Sequence, residues 1–181
     1  MFNYCPQCGN SLVWKKYKGR QRKVCPNCHY VHWSNEKISV GGLVARDKQI
    51  LLVQRAQRPG KGLWTIPGGF VEQEETMQEA IKREIKEETG VIAEPQRIVS
   101  TAEIPEKKCH EIYVTFALAF VSGDVVIQHS EILEAHFFTL TQAMDLPLAD
   151  LTRQLLTNNS ANHLSPLGIK PELANGFYLY G

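Results

Sequence analysis

The sequence predicts an α+β fold with a small, separate N-terminal module. Three observations carry that reading. Five strand-like runs are spread over residues 38–140 around few helical stretches, without the regular strand–helix alternation of a parallel α/β sheet. One segment, residues 76–89, has both helix start and stop signals. Four of the five cysteines fall within the first 28 residues. The 181-residue length suits one domain plus an appendage, and 43% hydrophobic with 22% charged residues is a soluble, globular composition.

The cysteine module comes first, over residues 1–35. Cys5-x2-Cys8 and Cys25-x2-Cys28 have the spacing of two zinc knuckles, in which each turn aims two thiolates at one point and the pair completes a tetrahedral S4 site. "CPQCG" and "CPNCH" supply the turn-forming residues. His29 and His32 are not needed as ligands beside four thiolates. Structural Zn²⁺ is therefore expected, in place of the disulfides a secreted domain would form. Between the knuckles, "WKKYKGRQRK" carries six basic residues interleaved with Trp14 and Tyr17. A nucleic-acid stripe and a solvated hairpin both fit it; the hairpin is favoured, and nucleic acid is not expected as a partner.

The second region, residues 36–145, begins where the composition turns strand-like. "ISVGGLVAR" and "QILLVQR" predict strands joined at "DK", "RPGKGLW" predicts a loop, and "QRIVSTAEI", "EIYVTFALAFV" and "EILEAHFFTL" predict further strands. Residues 146–181 are expected to hold a helix over about Pro147–Leu156, then a polar tail and the aromatic end "FYLY". The longest apolar run, "VTFALAF", is too short to cross a bilayer. No charged leader precedes an apolar stretch at the N-terminus. A cytoplasmic protein with no membrane partner is expected, and a net charge of +1 neither selects nor excludes a polyanion.

The central helix carries the chemistry. Thr76 with Glu79 is a capping box, and Gly90 is placed for a left-handed C-terminal cap. At about 100° per residue, Glu87 and Glu88 fall within about 60° of Glu84, on the stripe that Met77, Ala80 and Ile81 occupy earlier. Lys82, Lys86, Gln78 and Glu79 take the other side. Glutamates on a helix are usually a solvated face with lysine partners. Three on the packing side, where unpaired charge is costly, call for cations, and an all-oxygen donor set selects Mg²⁺ or Mn²⁺.

Gly69-x5-Glu75-x7-Arg83-Glu84-Ile85-x-Glu87-Glu88-x-Gly90-Val91 matches the Nudix box, GX5EX7REUXEEXGU, without departure. With "GLWTIPGG" and the flanking strands, the chain resembles a Nudix hydrolase over about residues 36–145. The resemblance implies an α/β/α sandwich and hydrolysis of nucleoside diphosphate derivatives. It further implies that Glu84, Glu87 and Glu88 ligate the catalytic metal, with the Gly69 carbonyl adding a ligand. Arg83 would orient the glutamates and Glu75 would support the loop–helix geometry. Glu84, Glu131 and Glu134 are each candidates to take the proton of the attacking water.

A zinc ribbon ahead of such a domain is similar to NADH pyrophosphatases, yet their SQPWPFPxS-like array is replaced here by "STAEIPEKKCHEIY". Pro105, fifteen residues past Gly90, is similar to the proline of ADP-ribose pyrophosphatases. The resemblance thus ranks ADP-ribose and FAD first, ahead of NADH and of modified nucleoside triphosphates. A non-enzymatic ADP-ribose sensor that binds nucleic acid is the alternative of a different class. A homodimer acting on a small-molecule nucleotide is the assembly the resemblance implies. Arg55, Trp64 and Glu131 are candidate substrate contacts, Trp64 as a stacking platform or as core. Arg46 and Arg58 are further cations of the same kind. Cys109 is expected to be an inert thiol, His110 has no evident partner, and His129 and His136 read as packing or surface residues.

Overall fold

The computed structural model describes residues 2–33, 36–105, 110–127, 130–157, 166–169 and 178–180. The chain divides into two compact units, Met1–Asn35 and Glu36–Gly181. The first is a three-stranded antiparallel sheet of β1 (Val13–Tyr17), β2 (Arg20–Val24) and β3 (Val31–His32), in that order. Lys18 and Gly19 both take positive φ, 46° and 81°, the two-residue turn that matches strand twist. Among its described residues the buried apolar ones are Cys5, Val24 and Cys25. So small a core needs a further crosslink to hold a fold.

The second unit is built on one mixed sheet. In chain order it contains β4 (Lys37–Arg46), β5 (Gln49–Arg55), β6 (Trp64–Thr65), β7 (Gly68–Phe70), α1 (Met77–Thr89), β8 (Ile92–Pro105), β9 (His110–Ser122), β10 (Ile132–Thr139), α2 (Leu140–Met144), α3 (Asp150–Thr157), β11 (Pro166–Ile169) and β12 (Tyr178–Tyr180). The strands run β10-β5-β4-β9-β8-β12-β11, with β6 paired to β5 and β7 to β4. Only β4 and β9 run parallel among these pairs; every other pairing is antiparallel.

Successive residues Leu51 and Leu52 enter opposite cores, as strand alternation requires. One core joins Val40, Val44, Phe116 and Leu118 to Ala80, Ile81 and Ile85 of α1. The other joins Leu52, Trp64 and Ile66 to Ala143, Leu148 and Leu156 of the α2–α3 segment. This is the expected sandwich. α1 lies so close to β4 that a Cβ on Gly42 would sit 2.8 Å from Ile85 Cδ1 of α1 and 2.9 Å from Leu118 Cδ1 of β9, so any side chain there would have to push both methyls aside.

The strand expectations hold with adjusted ends. β8 starts four residues early because register shifts between Pro95 and Arg97 absorb a proline that cannot donate to the ladder. Trp64 opens β6 instead of closing a loop. The helix expected over 147–156 is α3, which begins at Asp150, and a short helix not expected from the sequence, α2, precedes it, capped by Thr139 through a capping box with Gln142. β7 is glycine-rich and escapes pattern reading. The polar tail lies mostly outside the described residues, as do Cys109 and His129; Tyr178–Tyr180 pairs with β8.

The pairing pattern also opens the sheet. β4 bonds β5 only beside their turn, at Ala45–Ile50 and Arg46–Gln49. Farther along, β4 takes β7 as its neighbour and β5 takes β6. A cleft forms where the two strands part company.

Candidate active site and metal centres

In the first unit the two knuckles fold alike. Gly9 N–H donates to the Cys5 carbonyl at 2.9 Å and His29 N–H to the Cys25 carbonyl at 3.1 Å. Gly9 and His29 both take positive φ, 74° and 61°, so His29 serves as a turn residue. His32 lies in β3 with its ring 5.3 Å from Phe2. The sulfurs pair across the knuckles, Cys5 with Cys28 and Cys8 with Cys25, each at 3.4 Å. All four sulfurs lie within 4.8 Å of one another. A tetrahedral Zn–S bond of about 2.3 Å needs sulfurs about 3.8 Å apart, so the cluster fits a divalent zinc-like ion. Hydrogen bonds from the Asn10 backbone and side chain draw the Cys8 thiol down to about 6, toward the thiolate that binds metal.

In the second unit the cleft between β4 and β5 is a cavity of about 690 Å³. Glu84, Glu87, Glu88, Gly69, Arg55 and Glu131 all line it. α1 is fixed as the sequence predicts: Thr76 and Glu79 exchange both bonds of the capping box, and Gly90 is left-handed at φ 72°. Glu88 is buried at 6% exposure and accepts the Gly68 N–H at 3.0 Å. Burial, aided by the charges of Glu84 and Glu131, pushes its carboxyl up to about 8. Burial likewise raises Glu84, against the pull of Arg83. Glu87 differs from expectation, since its side chain is 53% exposed at the cavity mouth.

Arg83 organises this wall with its whole fork. Nε and Nη2 grip the two oxygens of Glu75 at 3.0 and 2.6 Å, and Nη2 also reaches the Phe70 carbonyl at 3.1 Å. Nη1 donates to Glu84 at 2.8 Å and to Glu87 at 3.1 Å. Glu75, held well below the ordinary carboxylate range by that hydrogen bonding, also accepts the Glu72 N–H. The guanidinium thus ties the β7–α1 loop to the helix and leaves the outer oxygens of Glu84 and Glu87 for a cation.

A Cβ on Gly69 would collide with the Glu84 carboxylate, so glycine is what lets that backbone lie against the acid. Among the described residues only the four cysteines bring their ligand atoms within 4.8 Å of one another. The glutamates share one wall at wider spacing. The donor set, all oxygen and more acidic than Arg83 alone can balance, suits a hard divalent cation.

The remaining expectations divide. Arg55 lines the cavity and donates from Nε to the Pro59 carbonyl at 3.1 Å. Glu131 lines it from the β9–β10 connection, whose backbone is tied to β5 by the Ala56 N–H at 2.8 Å. Glu134 points to solvent beside His136 at 3.6 Å. Of the two readings of Trp64 the structure takes the core: it is 6% exposed, edge-on to Phe138 at 5.1 Å, and offers no stacking surface to the cavity. Arg46 lies on Phe137 at 3.8 Å, away from the cavity lining, and Arg58 is not part of that lining. His110 is also corrected, with Glu103 3.9 Å away. Ser39, Glu111 and Tyr113 line the cavity unforeseen, and the Ser39 hydroxyl donates to Glu111 at 2.5 Å. Their meeting depends on the parallel register of β4 and β9, which no local pattern announces.

Comparison with known proteins covers both units. The NUDIX domain family matches residues 35–158, and the Nudix N-terminal family matches residues 3–34. An ADP-ribose pyrophosphatase of Methanocaldococcus jannaschii is 34% identical over 132 residues, 72% of this chain and 78% of the relative. An NAD-capped RNA hydrolase, NudC, of Escherichia coli K12 is 31% identical over 145 residues, 80% of this chain but 53% of the relative. This chain therefore spans about half the length of that hydrolase. The crystal structure of a NUDIX hydrolase from Nitrosomonas europaea superposes with a TM-score of 0.76 at 27% identity, covering 87% of this chain and 89% of that one.

Proposed function

The chain belongs to the Nudix hydrolase family, and from that premise we propose that it cleaves the diphosphate of ADP-ribose, giving AMP and ribose 5-phosphate, or of FAD, giving AMP and FMN. The observation that carries the reading is the cavity wall of Glu84, Glu87 and Glu88 facing Arg55 and Glu131. Mg²⁺ or Mn²⁺ held by the three glutamates and the Gly69 carbonyl would neutralise the diphosphate and make its phosphorus electrophilic. Arg83 keeps two of those carboxylates in place, and Gly68 N–H fixes the third. Arg55 is positioned to meet phosphate charge. Glu131 takes the proton of the attacking water, because it lines the cavity whereas Glu134 faces solvent. The ribbon holds Zn²⁺ as a structural ion. A homodimer located in the cytoplasm completes the proposal.

ADP-ribose is supported by the 34% identity to an ADP-ribose pyrophosphatase and by Pro105 at the end of β8. A second reading, cleavage of NADH, is favoured by the similarity to the NAD-capped RNA hydrolase. A hydrolysis screen over ADP-ribose, FAD, NADH and nucleoside triphosphates with Mg²⁺ or Mn²⁺ separates them. ADP-ribose or FAD is expected to give the highest kcat/KM. NADH exceeding both tenfold would install the second reading, and no hydrolysis of any of them would remove the enzymatic one.

A further inference from the structure

The first unit has a surface that its cysteine cluster does not use. None of the 19 acidic residues of the chain lies within residues 1–33, whereas six of its 20 basic residues do. The register of β1 and β2 sorts those charges between two faces. Pairs Lys15–Arg22 and Tyr17–Arg20 share one face, and Trp14–Lys23 and Lys16–Gln21 share the other.

The two faces treat their cations differently. On the Trp14 face the Lys23 ammonium is buried and already held by the Phe2 carbonyl and by Asn3 Oδ1, at 2.5 and 2.8 Å. On the Tyr17 face the Arg22 guanidinium stacks 4.5 Å above the Trp33 ring, and its Nε has no hydrogen-bond partner. Tyr17 meets Trp33 edge-on at 6.0 Å, and Lys18 lies within 6 Å of both rings. Lys15, Lys18 and Arg20 are exposed around this cluster, and Trp33 itself is 49% exposed.

We propose that the Lys15–Tyr17–Lys18–Arg20–Arg22–Trp33 face of the ribbon binds single-stranded nucleic acid. Cations with no acidic residue beside them in residues 1–33 attract a chain of phosphates, and the exposed indole beside them offers a stacking surface for an unpaired base. A single strand supplies phosphates and free bases side by side; a duplex hides its base faces. This departs from the expectation that the basic hairpin is only solvated, and it stands apart from the hydrolase reading.

The test uses the full chain in its zinc-loaded form and a fluorescein-labelled 15-nucleotide RNA of mixed sequence, titrated by anisotropy between 50 and 200 mM salt. Binding is expected, weakening steeply with salt. Lys15→Gln/Lys18→Gln/Arg20→Gln removes three surface charges; binding should fall about tenfold or more, and the slope of log Kd against log salt should fall by about 2. Trp33→Ala should weaken binding about tenfold while leaving that slope intact. Zinc content equal to that of the parent shows that each variant keeps its fold. Absent binding at 50 mM salt, unchanged binding in the triple variant, or equal binding to a duplex of the same sequence would each overturn the proposal. A loss of self-association in the variants without any oligonucleotide binding would reassign the face to a second copy of the chain.

Discussion

Glu88→Gln separates the two roles of the acidic helix most cleanly. Glutamine keeps the shape of the side chain, and its Oε1 can still accept the Gly68 N–H that Glu88 accepts at 3.0 Å. The change removes the negative charge alone. In chelated protein the folded carboxyl ionises near 8 against an ordinary 4.5, because burial outweighs its hydrogen bond and Glu84 and Glu131 repel it. Between those two pH values the native state holds a proton that the unfolded state has released. Native stability therefore falls as pH rises through that window, by about 1.4 kcal/mol per unit and about 3 kcal/mol by pH 7. Glu88→Gln should flatten that dependence and raise Tm in EDTA at pH 8. Activity moves oppositely: losing one charged oxygen from the metal-binding wall should lower kcat by about 10²–10³ or more at saturating Mg²⁺. Glu79→Gln is the control, since glutamine still closes the Thr76 capping box. Thermal melts in EDTA from pH 5 to 8 and initial rates at high and low Mg²⁺ measure both effects. Equal rates for the two variants, or a parent Tm in EDTA that does not fall with pH, would refute the reasoning.

Further outcomes follow from the same geometry. Elemental analysis should find about one Zn²⁺ per chain, and Cys25→Ser should lose it and unfold the first unit while hydrolysis largely survives. Glu131→Gln should lower kcat and shift the pH–rate profile, whereas Glu134→Gln should change neither, as steady-state kinetics across pH will report. Arg83→Lys cannot span Glu75, Glu84 and Glu87 together, so kcat should fall about tenfold or more, with apparent Mg²⁺ affinity weakened in a metal titration. Trp64→Ala should destabilise the fold by about 3–5 kcal/mol in denaturant melts; a stable variant defective only in KM would return Trp64 to the substrate.

What the sequence showed and what it hid divide along the range of the interactions. Helix α1 was legible to the residue, because Thr76, Glu79 and Gly90 act within a few positions of the groups they satisfy. The cysteine turns were legible for the same reason. Trp64 was ambiguous, since stacking platform and core leave the same letter, and only the partners Phe138 and Leu148 decide. Ser39, Glu111 and Tyr113 were invisible, because a parallel β4–β9 register joins residues some seventy positions apart.

The pattern of the box gains a physical reading from this contrast. Glu84 sits on the packing face, yet Arg83 beside it ties Glu84 and Glu87 of its own helix and the Glu75 loop into one rigid unit. Gly69 must then lack a Cβ, because the same rigidity presses the Glu84 carboxylate against the loop backbone. The glycine, the arginine and the spacing between them are consequences of a single requirement: holding like charges together at a wall before a cation arrives. Replacing the glycine would add a clash, and removing the arginine's charge would leave the acids unbalanced; Arg83→Lys keeps a cation and Glu88→Gln relieves repulsion, and that is why these two are expected to damage activity far more than folding.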